Sequence, residues 1–534
     1  MSPAPVAVVG GGPVGLITAL GLVAHGVPAV VFEMDGKLST DTKAGTILTR
    51  TLEVLDRYDA LAPVLEASLR IDEIGELDRA TGLSTGSVLT SALAEETRFP
   101  FVINIPQHEL EPVLAGVLES RAPGILRMRH RLVDFEQDED GVTLHLSTPD
   151  GPVTTRASHL LACDGGRSTV RERLGIEVDG HTLEQRFMLV DLVCDLDIDN
   201  PRDYPYLAYF GDREEWMILV RQPHCWRFLF PLAPGQPEPT TAQLRDKAHR
   251  FIGDVDELTV RGSNIYTVHH RVASSWQRGR VFLMGDAAHL ITPMWALGLN
   301  TGVLDASNLP WRLAWVHRGW ATDALLLGYQ TEQAPVAVNG SGEMAEAARA
   351  VMDRRLDSTA AMGAGGWGDA MTRTLLGVRL DIDDSGDWSM VRGTSTPTPV
   401  RVGERVPDLR VFSTRGPVSL HQLCRDSFVA LHLTDARRRP PIPADNPPGL
   451  RQVVVSRWDA PHDSGLRDRA YFDPGETVRA RFGLDGDAAV LLRPDGHIAH
   501  IEPWTVDSPH SVRQRYLSFV GLDQQEVAPC EATS

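Results

Sequence analysis

Val6-Ala-Val-Val-Gly10-Gly-Gly12-Pro13-Val-Gly15-Leu-Ile17 opens the chain, and its reading decides the fold. The apolar run Val6–Val9 has the length of a strand and ends in glycines. Leu16, Ile17, Ala19, Leu20, Leu22 and Val23 then recur at helical spacing, Gly26 stops the helix, and Ala29–Phe32 is a second buried strand. Strand, helix and strand in succession predict a parallel sheet. Gly10, Gly12 and Gly15, with Pro13 among them, fit G-x-G-x-x-G. Gly10 permits the tight turn, and Gly12 lets a pyrophosphate approach the backbone. Gly15 lets helix and strand pack closely, and the helix N-terminus stabilises phosphate charge. An acid about 20 residues further on is expected to hold ribose hydroxyls. Glu33, at 33 − 10 = 23 positions, closes the second strand. A glycine turn that binds nothing is the alternative, and this motif alone does not separate a flavin from a nicotinamide dinucleotide.

Two later segments decide between those cofactors. Cys163-Asp164-Gly165-Gly166-Arg167 ends the buried run that begins at His159. Gly285-Asp286-Ala-Ala-His289 ends the run Arg280–Met284 and leads through Pro293 to Gly298-Leu299-Asn300. Each sets a carboxylate at the carboxyl end of a parallel strand, where ligands of such sheets bind. Asp286 is placed to accept from ribityl hydroxyls. The backbone amides around Gly298, Leu299 and Asn300 are placed to open a helix toward the polar pyrimidine edge of a flavin.

In this order the three segments resemble the fingerprints of the class A flavoprotein monooxygenases, typified by para-hydroxybenzoate hydroxylase and phenol hydroxylase, and the resemblance runs to about residue 390. It implies an α/β protein: a Rossmann-type FAD-binding domain and an antiparallel-sheet substrate domain. Gly403-Glu-Arg-Val-Pro-Asp408 and Leu491-Leu-Arg-Pro-Asp-Gly-His497 resemble parts of the C-terminal thioredoxin-like α/β domain of phenol-hydroxylase-type members. The resemblance implies FAD as cofactor, NAD(P)H as reductant with a leaning to NADPH, and oxygen as co-substrate. Oxygen would pass from the flavin C4a-hydroperoxide to an electron-rich carbon of a phenolic or polycyclic aromatic substrate. Asp164 and Gly165 would serve both FAD and NAD(P)H, and Asp286 beside Gly285 would hold the ribityl chain. Lys43 and Ala44 stand where the family has Arg-Ala near the flavin. Gln107 matches a flavin-side glutamine, with a solvated helix start as its plain alternative. His289 is expected to pack rather than to act as a base. There is one departure. After Pro293 the family commonly has a Gly-Gly-Gln-Gly loop, where this chain has Met294-Trp295-Ala296-Leu297-Gly298. Trp295 either stacks on flavin or substrate, or fills the core.

Domain boundaries follow from the pattern. Residues 1–75, 100–180 and 270–345 are expected to form the FAD-binding domain, residues 76–99 and 181–269 the substrate domain, and residues 346–391 a helical segment. Residues 392–400 form a linker, and residues 401–525 the thioredoxin-like domain. Turn signals at Glu139-Asp-Gly141 and Pro149-Asp-Gly151 predict a three-stranded antiparallel meander. A long helix is expected from about Leu299 to His317, kinked at Pro310. In the second domain Tyr206, Tyr209, Trp226 and Phe228 are the candidate substrate residues, because aromatic faces suit an aromatic ligand. Arg221 and His224 are placed to assist phenolate formation. With Pro293 and Trp295 they make up the candidate catalytic set, against the plain reading of alternation in a half-buried sheet.

Composition narrows the partners. The chain of 534 residues has 52 Lys+Arg against 71 Asp+Glu, a formal net charge of −19. Such a chain repels phosphate backbones, so nucleic acid and anionic membranes are not expected partners. Five scattered cysteines without CxxC fit a reducing cytoplasm. Without a dithiol the C-terminal domain is expected to pack or to dimerise. No signal peptide, membrane span or metal cluster is expected. A Baeyer–Villiger-type oxygenase acting on a polyketide-like carbonyl, or a flavin-binding protein without oxygenase activity, are the competing functions.

Overall fold

The computed structural model describes residues 4–39, 45–194, 196, 204–212, 215–253, 258–353, 355, 357–362, 366–382 and 399–523. Tertiary contacts group them into two compact units. The first holds residues up to 307 and residues 333–378, and the second holds residues 308–332, 379–382 and 399–523.

The first unit is built on the opening motif. Val6–Val9 pairs in parallel with Ala29–Phe32 on one side and Leu160–Ala162 on the other, and Leu160–Ala162 pairs in parallel with Val281–Leu283. Gln277–Arg278 and Leu126–Arg127 complete a six-stranded sheet. These central strands are buried on both faces, which explains their unbroken apolar runs. Helix Pro13–Ala24 packs on the sheet with most of its residues buried. Arg131–Gln137, Val142–Thr148 and Gly151–Ala157 form the antiparallel meander, in a sheet of their own.

An eight-stranded sheet makes the other half of this unit. Its order runs His289–Leu290, Thr259–Ala273, Val178–Val193, Cys225–Leu232, Met217–Gln222, Leu207–Gly211, Glu73–Asp78 and Ser84–Leu89. Side chains alternate between two apolar clusters, one on each face. The outer face packs on helix Thr241–Ile252, which starts with a Thr240/Gln243 capping box. The inner face receives Met294, Trp295 and helices Glu343–Met352 and Gly366–Leu376. These helices are therefore a wall of the inner face rather than the separate segment expected for residues 346–391.

The second unit carries a seven-stranded sheet. Phe428–Leu433, Leu450–Ser456 and Ala470–Phe472 run parallel, Ala488–Leu492 pairs antiparallel with the first of them, and Ile498–Pro503 pairs antiparallel with Ala488–Leu492. The two stretches that suggested a thioredoxin-like domain meet in space, because Arg405 bridges His497 and the Val406 amide donates to the Gly496 carbonyl at 2.9 Å. By their contacts, residues 308–332 group with this unit. Trp311 and Trp315 pack edge-on to Phe428, and Trp315 donates to the Tyr516 hydroxyl at 3.2 Å. Helix Leu297–His317 continues through Pro310. Most of the expected linker lies outside the described residues.

Candidate cofactor and substrate site

Strand register brings the three motifs to one edge. Val9 lies opposite both Phe32 and Ala162, and Ala162 lies opposite Leu283. The four carboxyl ends are therefore level, and Gly10, Glu33, Asp164 and Asp286 follow them directly. Glu33 sits against the glycine turn, its Oε2 accepting the Gly11 amide at 2.6 Å and its Oε1 the Asp35 amide at 2.8 Å. Gly10 and Gly15 pack against neighbouring backbone and leave no room for a side chain, whereas no atom lies within 4 Å of where a Cβ on Gly12 would stand. Helix Pro13–Ala24 starts there without any side-chain cap, so its first amides face the open side of the turn. Gly285 and Gly302 both lie against Val14 of that helix, and Asp286 is exposed at the rim.

Asp164 is nearly buried. Its Oδ2 accepts the Val170 amide at 3.1 Å, and its Oδ1 has no partner among the described residues. Burial raises its pKa, against the pull of Ser168 and nearby amides. His289 is buried, 2.9 Å from Asp305 through Nε2 and stacked on Trp276, while Asp305 also accepts the Gly285 amide at 2.8 Å. The pair fixes the turn that presents Asp286. Asp305 was not foreseen, although it follows Asn300 on the same helix at short spacing.

Trp295 and Ala296 adopt φ of 57° and 58°, the left-handed region that glycine tolerates and other residues rarely enter. This answers the missing glycines: the loop keeps a glycine-type course with a tryptophan in it. The helix Leu297–His317 follows, and its first-turn amides lack intrahelical acceptors. The Asn300 side chain does not point to a cofactor. Its Oδ1 accepts the Leu48 amide at 2.9 Å and the Thr51 hydroxyl at 2.7 Å, and its Nδ2 donates to Thr46 and Ala296 carbonyls. Gln107 donates to Glu111 at 2.7 Å, and Glu111 accepts the Ser39 amide at 2.9 Å. Lys43 and Ala44 lie outside the described residues.

The substrate candidates divide between the two faces of the eight-stranded sheet. Tyr209 is on the inner face with Trp295, and Trp367 stands edge-on to both, with ring centres 6.1 Å and 6.2 Å away. Trp226 and Phe228 are on the outer face against helix Thr241–Ile252, so grouping them with Tyr209 is corrected. A two-residue period separates them from Arg227 and Leu229, which point the other way. Tyr206 stands edge-on to Trp226. Arg221 also lies on the Trp226 side, its guanidinium over that ring and donating to the Gln222 and Cys225 carbonyls. His224 is exposed in the hairpin turn. Neither shares the inner face with Trp295. The inner face instead carries Gln222, Tyr266 and a buried pair in which Arg227 meets Asp191 at 2.8 and 3.1 Å. Alternation from Ile218 and Val220 would have found Gln222.

A cationic cluster borders the Asp164 segment. Arg271 donates to Thr182 at 2.8 Å, and Thr182 meets His269 at 2.9 Å. Burial and then the charges of Arg271 and Arg167 hold the His269 pKa below its ordinary value.

These features fit a dinucleotide. An open glycine cradle at an uncapped helix, an orphaned carboxylate oxygen on Asp164 and a rim carboxylate at Asp286 are what such a group requires. Comparison with known proteins agrees. A family described as "FAD binding domain" matches residues 3–340, and one described as "Aromatic-ring hydroxylase, C-terminal" matches residues 400–518. The chain belongs to the FAD-dependent aromatic-ring monooxygenases. It is 30% identical to a rifampicin monooxygenase of Rhodococcus hoagii over 98% of this chain and 99% of that one. It is 28% identical to pentachlorophenol 4-monooxygenase of Sphingobium chlorophenolicum, over 93% of each. Aklavinone-11 hydroxylase, solved with FAD and aklavinone, superposes with a TM-score of 0.79 at 26% identity, covering 97% of this monooxygenase and 99% of the other chain.

Proposed function

We propose that this flavoprotein hydroxylates a phenolic or polycyclic aromatic compound, with NADPH as reductant and O2 as oxygen donor. The observation that carries the reading is a lipophilic, aromatic inner sheet face held in the same compact unit as the FAD edge. Bound FAD supplies the electron transfer and the oxygen activation. The chain supplies the setting. The start of helix Pro13–Ala24 takes the pyrophosphate, Glu33 the ribose, Asp286 the ribityl chain, and the Gly298–Asn300 amides the pyrimidine edge. Tyr209, Trp295 and Trp367 hold an aromatic ring in a dry chamber, which keeps water from the reacting atoms. Burial raises the Tyr209 and Tyr266 hydroxyls above their ordinary pKa, so both stay neutral hydrogen-bonding groups. Arg167, His269 and Arg271 support a phosphate-bearing reductant. A cytoplasmic setting and a homodimer belong to the same reading.

The test is the visible spectrum of freshly purified protein, followed by oxygen uptake and NAD(P)H oxidation against a panel of phenols and hydroxyanthraquinones. The expected result is a yellow protein whose product carries one added oxygen on a ring carbon. Insertion of oxygen beside a carbonyl, read by mass and NMR, would turn the assignment to the Baeyer–Villiger type. A yellow protein that never oxidises NAD(P)H would remove the oxygenase activity.

A further inference from the structure

Gln222 ends the strand Met217–Gln222 on the inner face, two residues beyond Val220 and four beyond Ile218, both of which pack in the inner cluster. It is wholly buried, yet neither its Oε1 nor its Nε2 has a partner among the described residues. A buried carboxamide that meets nothing forfeits the hydrogen bonds it had in water. A leucine or methionine would fill the same space without that loss, so packing does not explain the residue.

Its surroundings say what the amide faces. A side chain on Gly45 would begin 2.3 Å from the Gln222 Nε2 and 3.2 Å from an Arg227 Nη. The absence of a side chain at Gly45 is what admits the amide. The segment that follows Gly45 is tied to the start of helix Leu297–His317, because the Asn300 side-chain amide donates to the Thr46 carbonyl at 3.1 Å. Gln222 therefore stands between the aromatic sheet face and the segment tied to the Asn300 helix. The neighbouring Arg227 is neutralised by Asp191, with both side chains almost fully buried. The inner face thus presents at this point a neutral group that donates and accepts.

We propose that Gln222 sets substrate specificity by binding an uncharged oxygen or amide function on the aromatic substrate, and disfavours a carboxylate there. This rests on the reading that the substrate lies against the inner sheet face. A carboxamide offers two N–H donors and a carbonyl acceptor, which suit a hydroxyl, a quinone carbonyl or another carboxamide. A carboxylate would be left facing the carbonyl oxygen, and the neighbouring Arg227 is already paired with Asp191.

The experiment uses FAD-loaded protein and the change in its flavin spectrum on titration with 4-hydroxybenzamide, 4-hydroxybenzoate, 4-methylphenol and 1,8-dihydroxyanthraquinone, for wild type, Gln222→Leu and Gln222→Met. Wild type should bind the benzamide at least roughly 10-fold more tightly than the benzoate. Both variants should lose roughly 10- to 100-fold for the benzamide, keep their affinity for 4-methylphenol, and melt at or above the wild-type temperature once the orphaned amide is gone. If the phenols bind but the variants bind all four as wild type does, Gln222 is a packing residue and this proposal alone falls. If no compound of the panel perturbs the wild-type spectrum, the reading of the inner face as substrate chamber falls, and the proposal with it. Two variants of different shape guard against a single folding failure.

Discussion

The carbonyl oxygen of Cys163 lies 2.2 Å from the point at which a side chain on Gly10 would begin. Gly15 is as tight, 2.1 Å from the Gly10 carbonyl oxygen, whereas Gly12 meets nothing. The three glycines of one motif thus answer to two different demands. Gly10 also has φ of 108°, which an L side chain avoids. Gly10→Ala should cost about 3 kcal/mol or more and give insoluble protein. Gly12→Ala should fold, with an unchanged far-ultraviolet spectrum and melting temperature in the FAD-free state, yet purify without colour because the methyl fills the cradle. A yellow Gly12→Ala protein would show that the pyrophosphate does not approach there.

Ala296 and Trp295 provide a second test, because strain and packing oppose each other. A non-glycine residue in the left-handed region costs about 1–2 kcal/mol, and glycine gives back about 0.5–1 kcal/mol through its freer unfolded state. Ala296→Gly should therefore raise stability by about 0.5–1 kcal/mol, read as a small rise in melting temperature. Trp295→Gly relieves similar strain but deletes a buried indole, worth about 3–5 kcal/mol. It should destabilise by about 2–4 kcal/mol while opening the chamber to bulkier substrates. A Trp295→Gly protein as stable as wild type would mean that the indole contributes no packing.

Arg167 and Arg271 bear on the reductant. Replacing either with alanine should raise KM for NADPH roughly 10-fold and leave the FAD spectrum alone, since removing one charge-assisted hydrogen bond costs about 1.5–3 kcal/mol. Steady-state kinetics with NADPH and NADH decide it. An equal effect on both cofactors would place the pyrophosphate at the cluster, and no effect on either would remove the cluster from the reductant site.

Much of this architecture was legible because backbone chemistry wrote it. Glycines at Gly10, Gly12 and Gly15 and acids at strand ends are demanded locally, and the β-α-β pattern carries them. Turn chemistry at Asp140-Gly141 and Asp150-Gly151 likewise gave the meander. The faces of the long antiparallel strands were harder. Trp226 and Phe228 look like ligand residues, but the neighbour that claims them is helix Thr241–Ile252, remote in sequence. Gln222 stayed hidden because a polar residue near a hairpin turn reads as solvated. The packing of residues 308–332 was not legible because their partners Phe428, Arg493 and Tyr516 come more than a hundred positions later.

Glu332 and Arg493 close a buried charge network in the C-terminal unit. Arg493 donates to both Glu332 oxygens at 2.8 Å and also meets Asp495, while Arg312 reaches Glu332 at 2.6 Å. Burial opposes ionisation of Glu332, but the two arginines hold its carboxyl down at about 2. Glu332→Gln leaves the buried Arg312 guanidinium without the carboxylate it contacts, while Arg493 keeps Asp495, and should cost about 3–5 kcal/mol. Calorimetry should show the loss, and a melting temperature within a degree of wild type would contradict it. The paired change of Glu332 to Gln and Arg312 to Met should recover part of the stability.

His432 makes the stability of the same unit depend on pH. Its Nε2 faces the Gln452 Oε1 at 2.8 Å, and its Nδ1 accepts from the Trp504 indole at 3.2 Å. Those partners require the neutral ring with its proton on Nε2. Burial, against the pull of Gln452 and Glu502, lowers its pKa to about 4, from 6.5 in the unfolded chain. As pH falls below 6.5 the unfolded chain takes up the proton first. Stability from this group is therefore complete above about pH 6.5 and is lost progressively down to about pH 4, by about 3 kcal/mol in all. Denaturant unfolding followed by tryptophan fluorescence at pH 7.5, 6 and 5 should show the decline. His432→Gln keeps a buried donor and acceptor but does not titrate, so its unfolding free energy should fall less steeply over the same range. Parallel pH slopes for the two proteins would assign the dependence to other groups.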